Sequence, residues 1–366
     1  MTHRIHNFNA GPATLPLSVL EEVQAELLDF KGCGMSIMEM SHRSPEYMEV
    51  HTEVQDLASE LLGLGDDYKV LFLGGGASTQ FYMIPQNLLS GGRKGDYIVT
   101  GTWAKKAAKE AKLFGEVHIA HDAANADGKF IYVPTQRQLD LSSDAAYLHF
   151  TTNNTVAGTQ FHNYPKPPPG VPVVCDMSSD IFWKKFDPKP FGLIYAGAQK
   201  NLGPAGVTMV ILRKDMLDRC ATDGIPTMVS YKTHMDNDSL FNTAPVFPIY
   251  VVGKVLKWIK SLGGLDAIEK HNREKSGLLY GAIDANPDFF RSPIDKESRS
   301  VMNIVWRLPS EDLEKTFIAE AKKNGLGGLK GHRSVGGCRA STYNAMTIEG
   351  VKALVGFMED FAKKNG

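Results

Sequence analysis

Asp176 and Lys200 are the side chains whose types and setting most invite chemistry. Asp176 closes the apolar run VPVVCD (Val171–Asp176), and open α/β sheets bind their ligands at such carboxyl ends of strands. Lys200 follows within GLIYAGAQKNLGPAG (Gly192–Gly206), after room for one connection and one further strand. Its neighbours Ala196, Gly197, Ala198 and Gly203 are small, which leaves space beside the amine for something planar and large. A lysine in such a pocket loses its proton readily and forms Schiff bases. A third element, GGGASTQ (Gly74–Gln80), follows a strand and opens a helix. Glycine lets backbone approach a ligand closely, and a helix N-terminus offers free N–H groups to an anion. Each element has an ordinary reading on its own. Asp176 serves equally as a turn residue at a strand exit, and Lys200 is one of 40 Lys+Arg. The glycine turn is neither a P-loop, since no Gly-Lys-Ser/Thr follows, nor a dinucleotide fingerprint, since Thr79 occupies the third glycine position.

Taken together, the three describe a pyridoxal-phosphate (PLP) site. The glycine turn and helix terminus hold the phosphate, Asp176 pairs with the pyridine nitrogen, and Lys200 supplies the Schiff base. Trp103, just after an expected strand, either stacks on the ring or is a buried structural tryptophan.

The elements that must position these residues are readable from hydrophobic periodicity. Helices are expected over Leu17–Phe30, across Val54, Leu57 and Leu61 before Gly63, from about Ser78, and over Trp103–Leu113. Strands are expected at Lys69–Leu73, Tyr97–Thr100, Tyr147–Phe150, Val171–Cys175, Leu193–Ala196 and Val207–Leu212. They are continuous apolar runs rather than alternating ones, the mark of a sheet covered on both faces. Pro165–Pro172 (PKPPPGVP) reads as a stiff surface connection. A long helix from near Pro248 to near Gly263 precedes a change of texture. Val301–Leu308 and Val335–Ala340 then read as strands, and Glu311–Asn324 and Ile348–Lys364 as helices. The expected architecture is a large three-layer α/β/α domain with a mainly parallel sheet, over residues 16–260. A smaller α+β domain takes residues 1–15 and 261–366.

Composition narrows the function classes. With 366 residues, 43% hydrophobic and 22% charged, the chain reads as globular rather than disordered. Forty Lys+Arg against 41 Asp+Glu give a net charge of -1, so there is no basic excess for a nucleic-acid backbone. Anion recognition must come from local clusters. Four scattered cysteines (Cys33, Cys175, Cys220, Cys338) without a CxxC pair argue against a disulfide framework or zinc site, and for a reducing compartment. No membrane-length apolar run or signal-peptide-like start is present, so a cytoplasmic location is expected.

Several longer motifs carry a family resemblance. They are Asn7–Leu15 (NFNAGPATL), Met38–Ser44 (MEMSHRS), Asp176–Ser179 (DMSS), Tyr195–Gly206, Asn242-Thr243 and Gly328–Met346 (GLKGHRSVGGCRASTYNAM). With the glycine turn they span essentially the whole chain, which resembles the phosphoserine aminotransferase family of class V, fold-type I PLP enzymes. The resemblance implies that Lys200 and Asp176 are catalytic, Trp103 stacks on the cofactor, and Thr155 hydrogen-bonds its ring oxygen. It further implies that Gln199 and the backbone around Ala77 and Ser78 contact the phosphate. Asn242 and Thr243 are expected to reach that phosphate from a neighbouring subunit, in a homodimer with shared sites. Substrate binding falls to Asn9, His42, Arg43, His332, Arg333 and Arg339, since Arg forks match carboxylates and phosphates bidentately. The implied reaction moves an amino group between glutamate and 3-phosphohydroxypyruvate; 4-phosphohydroxythreonine is a related candidate substrate. Some members of that family carry Arg where this chain has Ser78, which removes a cation from that wall.

Two rivals remain at this level. A cysteine desulfurase needs a reactive thiol on a mobile loop, whereas Cys338 sits in an expected short strand, as a small buried hydrophobe would. A PLP-less binding protein on the same fold is disfavoured by the intact Asp176 and Lys200.

Overall fold

The computed structural model describes residues 4–366. Seven strands build the main sheet: β1 (Tyr68–Leu73), β2 (Lys94–Val99), β3 (Glu116–Asp122), β4 (Leu148–Thr151), β5 (Val173–Asp176), β6 (Phe191–Gly197) and β7 (Thr208–Arg213). Their spatial order is β1-β7-β6-β5-β4-β2-β3. Only β7 runs antiparallel to its neighbours, β1 and β6; every other pair is parallel.

The continuous apolar runs are explained by two cores, one on each face. Along a strand successive side chains point to opposite faces, so both parities must be apolar when both faces are covered. Val70, Phe72, Phe150, Val173, Ile194 and Ile211 pack on one side with the helices Pro45–Leu62 and Val246–Ser261. Leu71, Leu73, Tyr97, Val174, Tyr195 and Val210 pack on the other with the helices Gly76–Leu88 and Thr102–Ala111. A third core gathers Phe8, Leu279, Trp306, Phe317, Leu329 and Leu354. Around it lie the helices Gly264–Ala285, Glu311–Lys323 and Ile348–Asn365 and the antiparallel pair Asn303–Trp306 with Cys338–Ser341. His6-Asn7 joins this part by parallel pairing with Leu326-Gly327.

The structure departs from the expected elements in three places. The first helix stops at Glu26, and Phe30 turns inward on a separate 3-10 turn, edge-on to Tyr250 at 5.6 Å between ring centroids. The strand β3 (EVHIAHD) was not anticipated; it is the sheet edge, and only Ala120 along it is buried. The 22-residue helix Gly264–Ala285 was also missed, since Gly263-Gly264 reads as a stop, yet that pair only separates two helices.

Within that helix Lys275 is fully buried and donates hydrogen bonds to the carbonyls of Tyr343 (2.6 Å) and Met346 (2.9 Å). It pins the turn that follows Cys338–Ser341, and with it the segment that carries Arg339.

Candidate active site

Parallel pairing aligns the ends of three central strands, with Thr151 opposite Asp176 and Asp176 opposite Tyr195. Because β7 is antiparallel to both β6 and β1, the end of β1 reaches the same edge, and so does that of β2. The glycine turn, Trp103, Thr155, Asp176 and Lys200 all leave the sheet on this side.

Asp176 is buried, and its Oδ1 accepts hydrogen bonds from the Ser178 N–H (2.9 Å) and Ser178 Oγ (2.6 Å). Ser178 Oγ in turn accepts from the Gly197 N–H, tying β5 to the end of β6. Oδ2 has no recorded donor among the described residues and is left for a ligand. Burial raises the Asp176 carboxyl above its ordinary range, against the opposing pull of Lys200 and Ser178. Lys200 lies three residues beyond β6, and its Nζ donates to Thr155 Oγ1 at 2.8 Å. Burial lowers the Lys200 ammonium below its usual range; Asp176 works against this shift and Arg339 adds to it. Both shifts favour the neutral forms of the two groups. Gly11 lies on the lysine stem: a Cβ there would sit 3.1 Å from Lys200 Cγ, and its φ of +144° favours glycine as well.

Trp103 opens the helix after β2, with its ring centroid 5.5 Å from Lys200 Nζ and 4.5 Å from Lys106 Nζ. Its buried Nε1 has no hydrogen-bond partner among the described residues. The glycine turn ends at Gly75, whose φ of +85° a side chain rarely adopts, and a Cβ there would collide with Thr79 Oγ1. No side chain caps the helix that starts at Gly76, so the N–H groups of its first turn, Ala77 and Ser78 included, stay available. The Ser78 side chain itself is exposed. Gln199 folds back against Gly197, and its carbonyl accepts from the Ala13 N–H.

Arg339, on Cys338–Ser341, reaches across from the third core and donates from Nη1 to the Thr155 carbonyl at 3.2 Å. Its buried Nε is unpartnered. His332 Nδ1 lies 2.7 Å from Ser334 Oγ. Burial and the charges of Arg339, Arg333 and Lys106 hold its imidazole below the ordinary range. Arg333 is exposed on the same turn.

The remaining expected residues make no hydrogen bond to Lys200, Asp176 or Trp103 among the described residues. Asn9 is exposed and bonds to Asn7 Oδ1 (2.7 Å). Arg43 is exposed, and His42 Nε2 is buried without a partner. Asn242 and Thr243 are exposed, and Asn242 Nδ2 donates to the Thr243 carbonyl at 3.1 Å. Sequence reasoning missed Ser178, which lay inside a motif already singled out, and Lys106, whose only clue was its place one helical turn after Trp103.

The donor set fits PLP. An aromatic face, a lysine with one weak tie, a buried carboxylate with one free oxygen and an uncapped helix terminus all face the same edge. None of the four cysteines is paired, and burial pushes the Cys220 thiol up to about 12 and raises the Cys175 and Cys338 thiols as well. None of these three is a ready thiolate nucleophile. The family model "Aminotransferase class-V" matches residues 5–354.

The chain belongs to the class V aminotransferases. Members of this family depend on PLP, and the fold is that of fold-type I enzymes. The phosphoserine aminotransferase of Desulfatibacillum aliphaticivorans is 55% identical over 368 residues, covering 100% of both chains. The solved phosphoserine aminotransferase of Bacillus circulans subsp. alkalophilus superposes with a TM-score of 0.96 at 51% identity, covering 100% of each chain. The PLP-bound phosphoserine aminotransferase from Trichomonas vaginalis gives 0.92 at 39% identity, over 97% of this chain and 100% of that one. No helix among the described residues of this aminotransferase is long and apolar enough to cross a membrane.

Proposed function

We infer that this class V enzyme is a phosphoserine aminotransferase, exchanging an amino group between glutamate and 3-phosphohydroxypyruvate to give 2-oxoglutarate and O-phosphoserine. The observation that carries the reading is the meeting of Lys200 and Asp176 at one sheet edge with the unpaired Arg339 and the His332-Arg333 turn beside them. A site with this many uncompensated cations suits substrates that carry two or three negative groups.

Bound there, PLP supplies an electron sink for the pair released when a Cα–H bond breaks. Lys200, held low in pKa, takes up that proton as a neutral amine and returns it on the other side of the exchange. Asp176, oriented by Ser178, keeps a proton on the ring nitrogen. Trp103 would stack on the ring face and Thr155 would hydrogen-bond the ring oxygen. Gln199 and the N–H groups of Ala77 and Ser78 hold the phosphate. Arg339 binds the α-carboxylate common to every substrate, and His332 with Arg333 meets the distal phosphate or carboxylate. Arg43, His42 and Asn9 complete the substrate contacts. Asn242 and Thr243, exposed in the single chain, serve the cofactor phosphate of a second copy, so the working unit is a homodimer. Glutamate and phosphohydroxypyruvate use one pocket in turn, which makes the kinetics ping-pong.

The test is a titration of the purified holoenzyme, following the visible band of the bound cofactor. Glutamate and phosphoserine should each bleach it, and alanine and cysteine should not. Bleaching by alanine or cysteine without a response to phosphoserine would remove the substrate assignment.

A further inference from the structure

Lys106 has no role in the reading above, yet its surroundings give it one. It lies on the helix Thr102–Ala111 one turn after Trp103, and its Nζ approaches the indole at 4.5 Å. A cavity of about 720 Å³ opens beside the site, and Lys106 lines it together with Thr102, Val156, Ser334 and Val335. Thr102 adjoins Trp103, Val156 adjoins Thr155, and Ser334 bonds to His332, so the cavity borders the catalytic edge and the substrate turn at once. Lys106 therefore faces the same cavity as Ser334 and Val335, which follow His332 and Arg333 on their turn; Lys105, Lys109, Lys112, Lys129 and one carboxylate, Asp122, line it as well. The electrostatics agree, since Lys106 is among the charges that depress the His332 imidazole.

No carboxylate lies within ion-pair distance of Lys106, Arg333 or Arg339 among the described residues. Cations left without a carboxylate gain most from a multivalent anion.

We propose that Lys106 is a specificity-determining residue that binds the substrate's phosphate group together with His332 and Arg333. The proposal rests on the phosphoserine aminotransferase reading and deepens it. A phosphate dianion offers three oxygens to Lys106, His332 and Arg333, whereas the single distal carboxylate of glutamate offers two oxygens and one charge. Lys106 consequently favours the phosphorylated substrate over glutamate. It keeps its Nζ near the aromatic face that positions the cofactor, so phosphate binding and ring stacking share one helix turn.

The experiment compares holoenzyme Lys106→Met and Lys106→Arg with wild type in the two half-reactions and in competition by inorganic phosphate. For Lys106→Met, kcat/KM for phosphoserine should fall about tenfold or more, carried by KM, and the inhibition constant of inorganic phosphate should rise in parallel. The value for glutamate should fall no more than about threefold. Lys106→Arg should recover most of the phosphoserine loss. Equal losses for the two amino acids, an unchanged phosphoserine value, or a Lys106→Met protein that sheds its cofactor at saturating PLP would each overturn the proposal. The last outcome would make Lys106 a support for Trp103. A wild-type enzyme that ignores phosphoserine would instead strike at the substrate reading, independently of Lys106.

Discussion

Replacing Asp176 by Asn tests the centre of the mechanism with little change of shape. The Asn carbonyl oxygen can still accept from Ser178, whose N–H and Oγ lie 2.9 and 2.6 Å from Oδ1, so the exit of β5 should keep its conformation. What is lost is one negative charge in a buried position. Two consequences follow. The charge-assisted hydrogen bond that a carboxylate offers to a protonated ring nitrogen is worth about 1.5–3 kcal/mol, or roughly ten- to 150-fold in rate. Asp176 is also the main influence that props up the Lys200 ammonium against burial, so the Lys200 pKa should fall further. Stopped-flow single turnovers with phosphoserine, followed through the visible band across pH, measure both. We expect Asp176→Asn to retain cofactor, to unfold within a few degrees of wild type and to turn over ten- to 150-fold more slowly. The pH limb belonging to Lys200 should move to lower pH. Rates equal to wild type would reduce Asp176 to a strand-exit turn residue. A loss that excess PLP restores would make it a binding anchor rather than a tuner of the ring.

Lys200→Ala should abolish turnover while leaving the thermal unfolding midpoint nearly unchanged, because among the described residues the Lys200 amine hydrogen-bonds to Thr155 alone; wild-type activity in that variant would place the essential amine elsewhere. Arg339→Leu should impair the glutamate and phosphoserine half-reactions alike, by roughly ten- to hundredfold, since both substrates share an α-carboxylate; a loss confined to one would contradict this assignment. Lys200→Ala mixed and refolded with a chain carrying Asn242→Ala and Thr243→Ala should recover activity that neither parent has, through the one site of the mixed dimer with an intact set; confirmed heterodimers without recovery would exclude shared sites. Burial pushes the buried Asp180 carboxyl up to about 7, so the fold favours its neutral form. The stability it contributes is full below the unfolded value near ~4 and disappears as pH rises toward 7. Denaturant unfolding of Asp180→Asn should show that slope flattened, and an unaltered slope would assign the pH dependence to other groups.

The catalytic edge was legible because its parts obey strong local rules. An apolar strand that ends in Asp176, small residues around Lys200 and a glycine turn before a helix each follow from backbone geometry, and parallel pairing brings them together without further information. What the sequence concealed had physical reasons too. β3 lies at the sheet edge, where one buried Ala120 among His, Glu and Asp leaves no hydrophobic pattern. The helix Gly264–Ala285 buries only a narrow stripe, Leu265, Ile268, Leu279 and Ile283 among others, and Lys275 masks part of it by being a charged residue turned inward. Arg339 and Thr155 are far apart in the chain, and only the packing of the third core against the sheet joins them. Lys106 sits among alternating Lys and Ala residues that read as a solvated helix face. Its relation to His332 exists only in three dimensions.

The position of β7 bears on how the chain is made. β1 forms the sheet's outer edge, and its only partner there is β7, with Leu73 opposite Thr208. During synthesis the apolar residues of β1 emerge early and must wait for most of the large sheet to follow before they are paired. Such long-range closure is slow and leaves a sticky edge uncovered meanwhile. A nascent chain ending just before Thr208 would already contain Asp176 and Lys200, yet its glycine turn would hang from an unattached strand. Its phosphate grip would be missing, and a truncated product of this kind should bind cofactor poorly and be open to chaperones and proteases. If the glycine turn holds the cofactor phosphate as proposed, retention of PLP should require that β7 has closed the sheet, and it would then separate finished enzyme from abortive fragments.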